Sequence, residues 1–133
     1  FREIEFGPML KQLDFSGTNF GDIGVANLSK ALQHTSQLTK LNFNRSLIGL
    51  AGVIGLGPVI QANTNLEHLM LGTTCLRDEG ASALAEVLEQ SHKLQNLHLQ
   101  SNDIGSPGLL RLGAQLSALT SLRMLNLRHS RSL

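Results

Sequence analysis

The sequence predicts an α/β solenoid in which parallel strands line a concave face and helices cover the convex face. Two observations indicate this. Leucine recurs with a spacing of 28 residues and without insertion or deletion at Leu10, Leu38, Leu66, Leu94 and Leu122. The second half of each repeat places apolar residues four apart, which is helical spacing, so each repeat combines a strand with a helix. Repetition of this unit at a fixed period predicts parallel strands that lie side by side.

The strand of each repeat lies in a Leu-x-x-Leu-x-Leu pattern, which is clearest at Leu94, Leu97 and Leu99. Leu97 and Leu99 alternate with His98, which is the two-residue period of a half-buried strand. The other repeats carry leucine or phenylalanine at the same places. Because a helix is wider than the spacing between strands, we expect the stacked repeats to bend into a right-handed horseshoe.

Four helices are predicted in the second halves of the repeats. The first runs from about Asp22 to Gln33, and the clearest covers Asp78 to Glu89, whose early acidic residues suit the positive end of a helix dipole. The second contains or adjoins several glycines and Pro58, so we expect it to be kinked, late-starting or short. In the fourth, Ser106 is predicted as the N-cap and Pro107 as the first helical residue.

The repeats begin at residues 10, 38, 66 and 94 and place the whole chain, 1–133, in a single domain. We interpret residues 1–9 as either an N-terminal cap or the remnant of a preceding repeat, since Ile4 falls in register with Leu32. Residues 122–133 begin a further repeat whose helix is missing, which would leave a strand edge uncovered. We therefore expect the chain to be a piece of a longer protein.

These repeats resemble the leucine-rich repeat family, and the 28-residue unit with a full helix is similar to its ribonuclease-inhibitor-like class. The family usually carries Asn or Cys at the ninth place of a repeat, where the side chain bonds turn backbone groups between repeats. Asn102 fits this pattern, whereas the other three repeats have Thr18, Ser46 and Thr74 there. Hydroxyl groups make similar but weaker bonds, so we expect a less rigid ladder in the first three repeats.

Composition narrows the class of function. The 133 residues are 41% hydrophobic and 16% charged, with a net charge of +1, which argues against a disordered polyelectrolyte and gives no general case for a nucleic-acid partner. The basic stretch from Arg123 to Arg131 is most simply an unpaired tail. The only cysteine, Cys75, cannot form an internal disulfide, which favours a reducing, cytoplasmic location. No apolar run is long enough to predict a membrane span.

The strand residues that alternate with the buried leucines are predicted to point outward onto the concave face. They are polar, rich in amides, and include two methionines, which are adaptable apolar contacts. The candidate partner-binding residues are Lys40, Asn42, Asn44, Arg45, His68, Met70, Asn96, His98, Gln100, Met124, Asn126 and Arg128. The resemblance to leucine-rich repeats implies that this face binds another protein, and the alternative is a merely solvated sheet surface.

The sequence carries no pattern typical of catalysis or metal binding. His68 and His98 are predicted as diagonal neighbours on adjacent strands, but zinc needs three or four ligands and Glu67 is expected to point elsewhere. A nucleophile elbow, a P-loop and a His-Glu-x-x-His motif are absent from the sequence, and no lysine follows the glycine-rich stretch from Gly49 to Gly57 to reach a phosphate. We therefore predict no enzymatic activity, cofactor, metal site or small-molecule substrate.

The predicted function is a non-catalytic scaffold that binds another protein. The resemblance leaves three more specific roles open. They are the ligand-sensing or autoinhibitory domain of a NOD-like innate immune receptor, a small-GTPase regulator similar to Ran GTPase-activating proteins, and a substrate-recruiting effector or ubiquitin-ligase subunit.

Overall fold

A computed structural model describes Gly7 and residues 9–130 of the chain, and in it five short strands form one parallel sheet in chain order. The strands are β1 (Gln12–Asp14), β2 (Lys40–Asn42), β3 (His68–Met70), β4 (Asn96–His98) and β5 (Met124–Asn126). They alternate with the helices α1 (Gly21–Ala31), α2 (Leu50–Ala62), α3 (Arg77–Val87) and α4 (Ser106–Leu116). This alternation of parallel strands and helices confirms the predicted α/β solenoid.

Every strand pairs with the next in one continuous register. The central leucines are direct partners across the sheet, in the order Leu13, Leu41, Leu69, Leu97 and Leu125. Each helix packs against the helix of the next repeat, so the helices form a second layer beside the sheet. Because a strand and a helix from one repeat contact mainly the neighbouring repeats, the fold grows by addition along one axis.

The core lies between these two layers and is built from the repeat leucines. Leu41, Leu69 and Leu97, at the centres of β2, β3 and β4, are fully buried. Leu84 and Leu112 close the core from the helical side and are no more than 1% exposed. Burial of one such side chain contributes about 1.5–3 kcal/mol, so the regular leucine spacing supplies most of the driving force for stacking.

The two ends of the chain are only partly described. The cap or repeat remnant expected at residues 1–9 lies almost wholly outside the described residues, and the last repeat is described as far as Ser130. Leu125 in β5 is 37% exposed, whereas Leu97 in β4 is fully buried. The difference arises because, within the described chain, Leu125 has a neighbouring repeat on one side only.

The expectation of a short or late-starting second helix is wrong. Helix α2 has 13 residues, against 11 in α1, α3 and α4. Its glycines serve helix packing: Gly52 and Gly57 are buried, and a side chain at residue 52 would collide with Ile48, 2.6 Å away. Pro58 lies on the exposed side, so the carbonyl that it leaves without a helical donor, that of Ile54, is near solvent.

None of the helices in the described chain is long and apolar enough to cross a membrane.

The other predicted helix bounds need small corrections. Helix α3 ends at Val87 and continues as a 3₁₀ turn over Leu88–Gln90, and α1 ends at Ala31. Tightening of the last turn in this way is common at helix ends.

The predicted N-cap of the fourth helix is also one residue out of place. Gly105 is the N-cap of α4, and Ser106 is its first helical residue, with no capping bond from a side chain at the N-cap. The cap comes from the preceding repeat instead. Asp78 Oδ1 accepts the Gly105 N–H at 2.7 Å and the Gly108 N–H at 3.1 Å. A carboxylate at a helix N-terminus satisfies free N–H groups and complements the helix dipole.

The ninth-place asparagine bonds the third and fourth repeats together. Asn102 is buried, and its Oδ1 accepts the N–H groups of Thr74 at 2.8 Å and Leu76 at 3.2 Å. Its Nδ2 donates to the carbonyls of Leu71 at 2.6 Å and Leu99 at 3.1 Å. One side chain therefore pairs four backbone groups in two repeats.

The hydroxyl groups at the same place in the other repeats make fewer bonds. Ser46 Oγ donates to the carbonyl of Phe15 in the preceding repeat at 3.1 Å. The hydroxyls of Thr18 and Thr74 each donate to the carbonyl three residues earlier in their own repeat. The lower rigidity of the first three repeats that we expect from these bonds stays a prediction.

Candidate protein-binding face

The structure places all twelve candidate residues on strands β2–β5 or within three residues after a strand. We call the surface formed by these twelve side chains the strand face. Since successive side chains of a strand point to opposite sides, burial of the central leucines turns their neighbours away from the core. The residues that flank these leucines in β2, β3 and β4 are all half-buried, because each is flanked by strands on both sides: Lys40, Asn42, His68, Met70, Asn96 and His98.

Two histidines lie close together in the middle of the strand face. His68 Nδ1 accepts a hydrogen bond from Nδ2 of Asn96 at 2.7 Å, and Asn96 is its direct partner on β4. Partial burial lowers the pKa of His98 below its ordinary value, and the charge of the nearby His68 lowers this pKa further. His98 therefore presents a neutral imidazole at pH 7.

The prediction that Glu67 points away from His68 is wrong. Oε2 of Glu67 lies 3.9 Å from Nε2 of His68, although the two residues are adjacent in the chain. Glu67 precedes the first residue of β3, so the strict alternation of a strand does not govern its side chain. Even so, the described part of the chain contains no group of three His, Cys, Asp or Glu residues that could hold a metal ion.

Each strand leads into a turn whose eighth-place residue has a left-handed backbone. In all five repeats the φ of this residue lies between 55° and 75°: Gly17, Arg45, Thr73, Ser101 and His129. This conformation is uncommon for residues other than glycine, and unusual for a β-branched residue such as Thr73. The turn carries the exposed Arg45 to the rim of the strand face.

These turns and the strand ends enclose a polar depression of about 510 Å³. Its described lining is Ser16, Gly17, Asn42, Asn44, Arg45, Thr73 and Gln100. Four of these seven residues are among the candidates from the sequence, whereas Ser16, Gly17 and Thr73 were missed. Their seventh or eighth place in the repeat is the signal that could have found them, because those places recur at the same end of each strand.

One hydrogen bond between neighbouring repeats and one within a repeat hold the asparagine side chains of the depression. Asn44 Oδ1 accepts the N–H of Gly72 at 2.7 Å, and Asn42 Oδ1 accepts the N–H of Asn44 at 3.0 Å. The Gln100 side chain lies directly over Gly72, so that any side chain at residue 72 would collide with the Gln100 amide. The Oε1 atom of Gln100 is buried, and it has no hydrogen-bond partner within the described part of the chain.

The remaining candidates lie outside the depression. Three of them lie on β5 and the turn after it: Met124 is 38% exposed, and Asn126 Oδ1 accepts the N–H of Arg128 at 3.1 Å. Lys40 lies on β2 and Met70 on β3. Most of the candidates therefore fall into three neighbouring groups, which are the polar depression, the histidine pair and the more exposed edge at β5.

Charge is unevenly distributed over these strand and turn segments, which are residues 11–17, 39–45, 67–73, 95–101 and 123–129. They carry five basic residues, Lys11, Lys40, Arg45, Arg123 and Arg128, against two acidic ones, Asp14 and Glu67. Oε2 of Glu67 lies near His68, and the Ser16 hydrogen bonds lower the pKa of Asp14. The face therefore has a positive bias, although the whole chain is nearly neutral.

The fold and the repeated strand pattern define a class of protein. A family model described as "Leucine Rich repeat" matches residues 8–29, 62–85 and 90–113, which together make up more than half of the chain. The chain belongs to the leucine-rich repeat family.

One solved structure carries a similar fold. It is titled "Leiomodin-1 Actin-Binding Site 2", and it matches with a TM-score of 0.76 at 15% sequence identity. The match covers 93% of this chain and 73% of that one. A sequence comparison with curated proteins found no match. At this level of identity the likeness supports the leucine-rich repeat fold.

Proposed function

We propose that the chain is a non-catalytic scaffold that binds a partner protein on its concave face, which is the strand face. The observation that carries the proposal is the difference in burial between successive side chains of β2, β3 and β4. The central leucine of each strand is fully buried, while the residues on either side, all polar except Met70, are half-buried and point away from the core. The sheet holds these side chains in a fixed register, and such preorganisation lowers the cost of ordering them on binding.

Finer assignments follow from the repeat and from the cysteine content. Hydrogen bonds between equivalent places join residues 28 positions apart, as in the bond from Thr74 to Asn102, and this period supports the ribonuclease-inhibitor-like class. We further propose that residues 1–133 form a single domain. The only cysteine, Cys75, is exposed and unpaired, which favours a reducing, cytoplasmic location.

The proposal is tested by affinity capture with two matched triple variants. The concave variant combines Lys40→Glu, Met70→Glu and His98→Glu on three neighbouring strands. The convex variant, Ile54→Glu, Ser82→Glu and Leu110→Glu, places the same three charges on α2, α3 and α4. Captured proteins are quantified by mass spectrometry, and circular dichroism verifies that both variants are folded.

Partners captured by the unmodified chain should be lost by the concave variant and retained by the convex variant. Three new carboxylates across a binding face remove contacts and add buried or repelling charge, so a loss of at least tenfold is expected. The opposite result would contradict the concave-face proposal. It would direct attention to the helical surface, where Ile54 and Leu110 are 60% and 75% exposed.

The more specific roles are distinguished by separate assays. A small-GTPase regulator would accelerate GTP hydrolysis when added to the GTPase, whereas a passive scaffold would not. A receptor sensor domain or a substrate-recruiting subunit requires further domains, which the full-length sequence would reveal. Because the similar solved structure is an actin-binding site, actin is the first defined partner to test, by co-sedimentation with filaments.

A further inference from the structure

We propose that the polar depression at the ends of β1–β4 captures an acidic residue in an extended segment of the partner protein. The inference rests on the proposed function and deepens it, because it names the chemistry that the face recognises. The depression is lined by side chains and turns from four successive repeats. It is therefore a product of the stacked fold rather than of any single repeat.

The charge of the depression favours a carboxylate. Arg45 is the cation of its described lining, and none of the seven lining residues is acidic. The guanidinium group is exposed at the rim and carries up to five N–H donors, a geometry that suits bidentate binding of a carboxylate. Arg45 is held there by its left-handed backbone, with φ of 62°. The strand and turn segments around it also carry more basic than acidic residues.

Two of the three side-chain amides of the lining, those of Asn44 and Gln100, are suited to the rest of an acidic residue. Asn44 Oδ1 already accepts the Gly72 N–H, so the group that Asn44 can offer a ligand is its Nδ2 donor. Gln100 also lines the depression, and its Oε1 is buried without a partner in the described chain, so turning this side chain toward a ligand breaks no hydrogen bond of Oε1. Once turned, Oε1 would accept a backbone N–H of an extended peptide while the acidic side chain of the same residue lies toward Arg45.

The size and polarity of the depression favour a peptide segment over an apolar small molecule. Its volume of about 510 Å³ can hold a few residues, but its lining consists of polar side chains and glycine. Pockets for small organic ligands are mostly apolar. A polar trough that offers both donors and an acceptor matches the alternating groups of a peptide.

The test is a titration of the ¹⁵N-labelled chain followed by NMR. The probe is N-acetyl-aspartate N-methylamide, and its neutral counterpart is N-acetyl-asparagine N-methylamide. The acidic probe should shift the amide signals of Gly17, Gly72 and Thr73 in a saturable way at millimolar concentrations, as expected for a ligand of this size. The neutral probe should bind at least threefold more weakly.

Arg45→Gln removes the proposed carboxylate contact, and Arg123→Gln is the control, since Arg123 is an exposed arginine outside the depression. Arg45→Gln should weaken binding of the acidic probe about fivefold, whereas Arg123→Gln should leave it unchanged. Unperturbed spectra elsewhere in the chain will show that both variants are folded.

Three results would overturn the inference: no saturable shift at the depression, equal binding of the two probes, or equal effects of the two substitutions. Each would leave the concave-face proposal standing if the concave triple variant still lost its captured partners. Conversely, capture that survives the concave variant would contradict the proposed function even if the probe bound.

Discussion

At the scale of single residues, the role of a side chain depends on which side of its strand it occupies. Leu97 and His98 are neighbours in β4, yet Leu97 is fully buried and His98 lies half-buried on the strand face. The alternation follows directly from strand geometry, so the leucine pattern predicted it correctly. The sequence did not predict the left-handed backbone at Thr73 and Ser101, because neither residue type prefers that conformation.

The two neighbours in β4 should therefore respond very differently to truncation. Leu97→Ala removes buried methyl groups and leaves a cavity in the core, so it should lower the free energy of unfolding by roughly 2–5 kcal/mol. His98→Ala, the control on the other side of the same strand, should lower it by less than about 1 kcal/mol. Urea denaturation measures both values. Equal effects, or a larger effect at His98, would mean that the inward and outward assignments are wrong.

At the scale of elements, the helices depend on groups from the preceding repeat. Asp78 lies in the first turn of α3, and its side chain caps the N-terminus of α4 in the next repeat. Gly108 makes this approach possible, since a Cβ there would lie 2.7 Å from Asp78 Oδ1. Asp22 approaches α2 in a similar way, with its Oδ1 3.0 Å from the position of a Cβ on Gly52. At Gly52 and Gly108 the glycine therefore makes room for an aspartate of the preceding repeat, and a Cβ at either place would also collide with the isoleucine four residues earlier.

Removal of the Asp78 cap should destabilise α4 in particular. Asp78→Ala leaves the N–H groups of Gly105 and Gly108 without their acceptor and should cost about 1–2 kcal/mol of unfolding free energy. Urea denaturation measures this loss of unfolding free energy. Faster hydrogen exchange at the Gly105 and Gly108 amides would show that the loss arises at the N-terminus of α4.

Glu79→Ala provides the control, because Glu79 is an exposed acidic residue in the same helical turn. It should cost less than about 0.5 kcal/mol, and Asp78→Asn, which keeps an acceptor oxygen, should fall between the two. Similar losses for Asp78→Ala and Glu79→Ala would argue against the cap between repeats.

At the scale of the whole molecule, stability is distributed along a ladder of repeats that is not uniform. Asn102 satisfies buried backbone groups of both the third and the fourth repeat, whereas Ser46 makes one bond to its neighbour. In a solenoid, the total stability is close to the sum of repeat and interface contributions. The interface between the third and fourth repeats, which contains Asn102, should therefore be the most stable interface between repeats in the described chain.

Replacement of the ninth-place residues tests this ranking. Asn102→Ala should cost at least about 3 kcal/mol, because several buried N–H and carbonyl groups lose their partner. Ser46→Ala, at the same place two repeats earlier, should cost about 1 kcal/mol or less. Native-state hydrogen exchange should show lost protection at the amides of Thr74 and Leu76 in the first variant. Comparable costs for the two substitutions would refute the unequal ladder.

The sequence by itself determined the repeat, the position of every strand and the leucine core. The alternation can be read within one repeat, as at Leu94, Leu97 and Leu99, and the period follows from comparison of successive repeats. It also placed four of the seven residues of the polar depression, because side-chain direction in a strand follows from position alone.

Tertiary structure decided the rest. Three features depend on contacts between different repeats. They are the full length of α2, the cap that Asp78 supplies to α4, and the position of the Gln100 side chain over Gly72. The low helix propensity of glycine and proline argued against a long α2, and the local sequence gave no sign of the Asp78 cap or of the contact between Gln100 and Gly72. Packing between neighbouring repeats outweighs the cost of glycine and proline in one helix, and only the stacked fold brings these partners within contact distance.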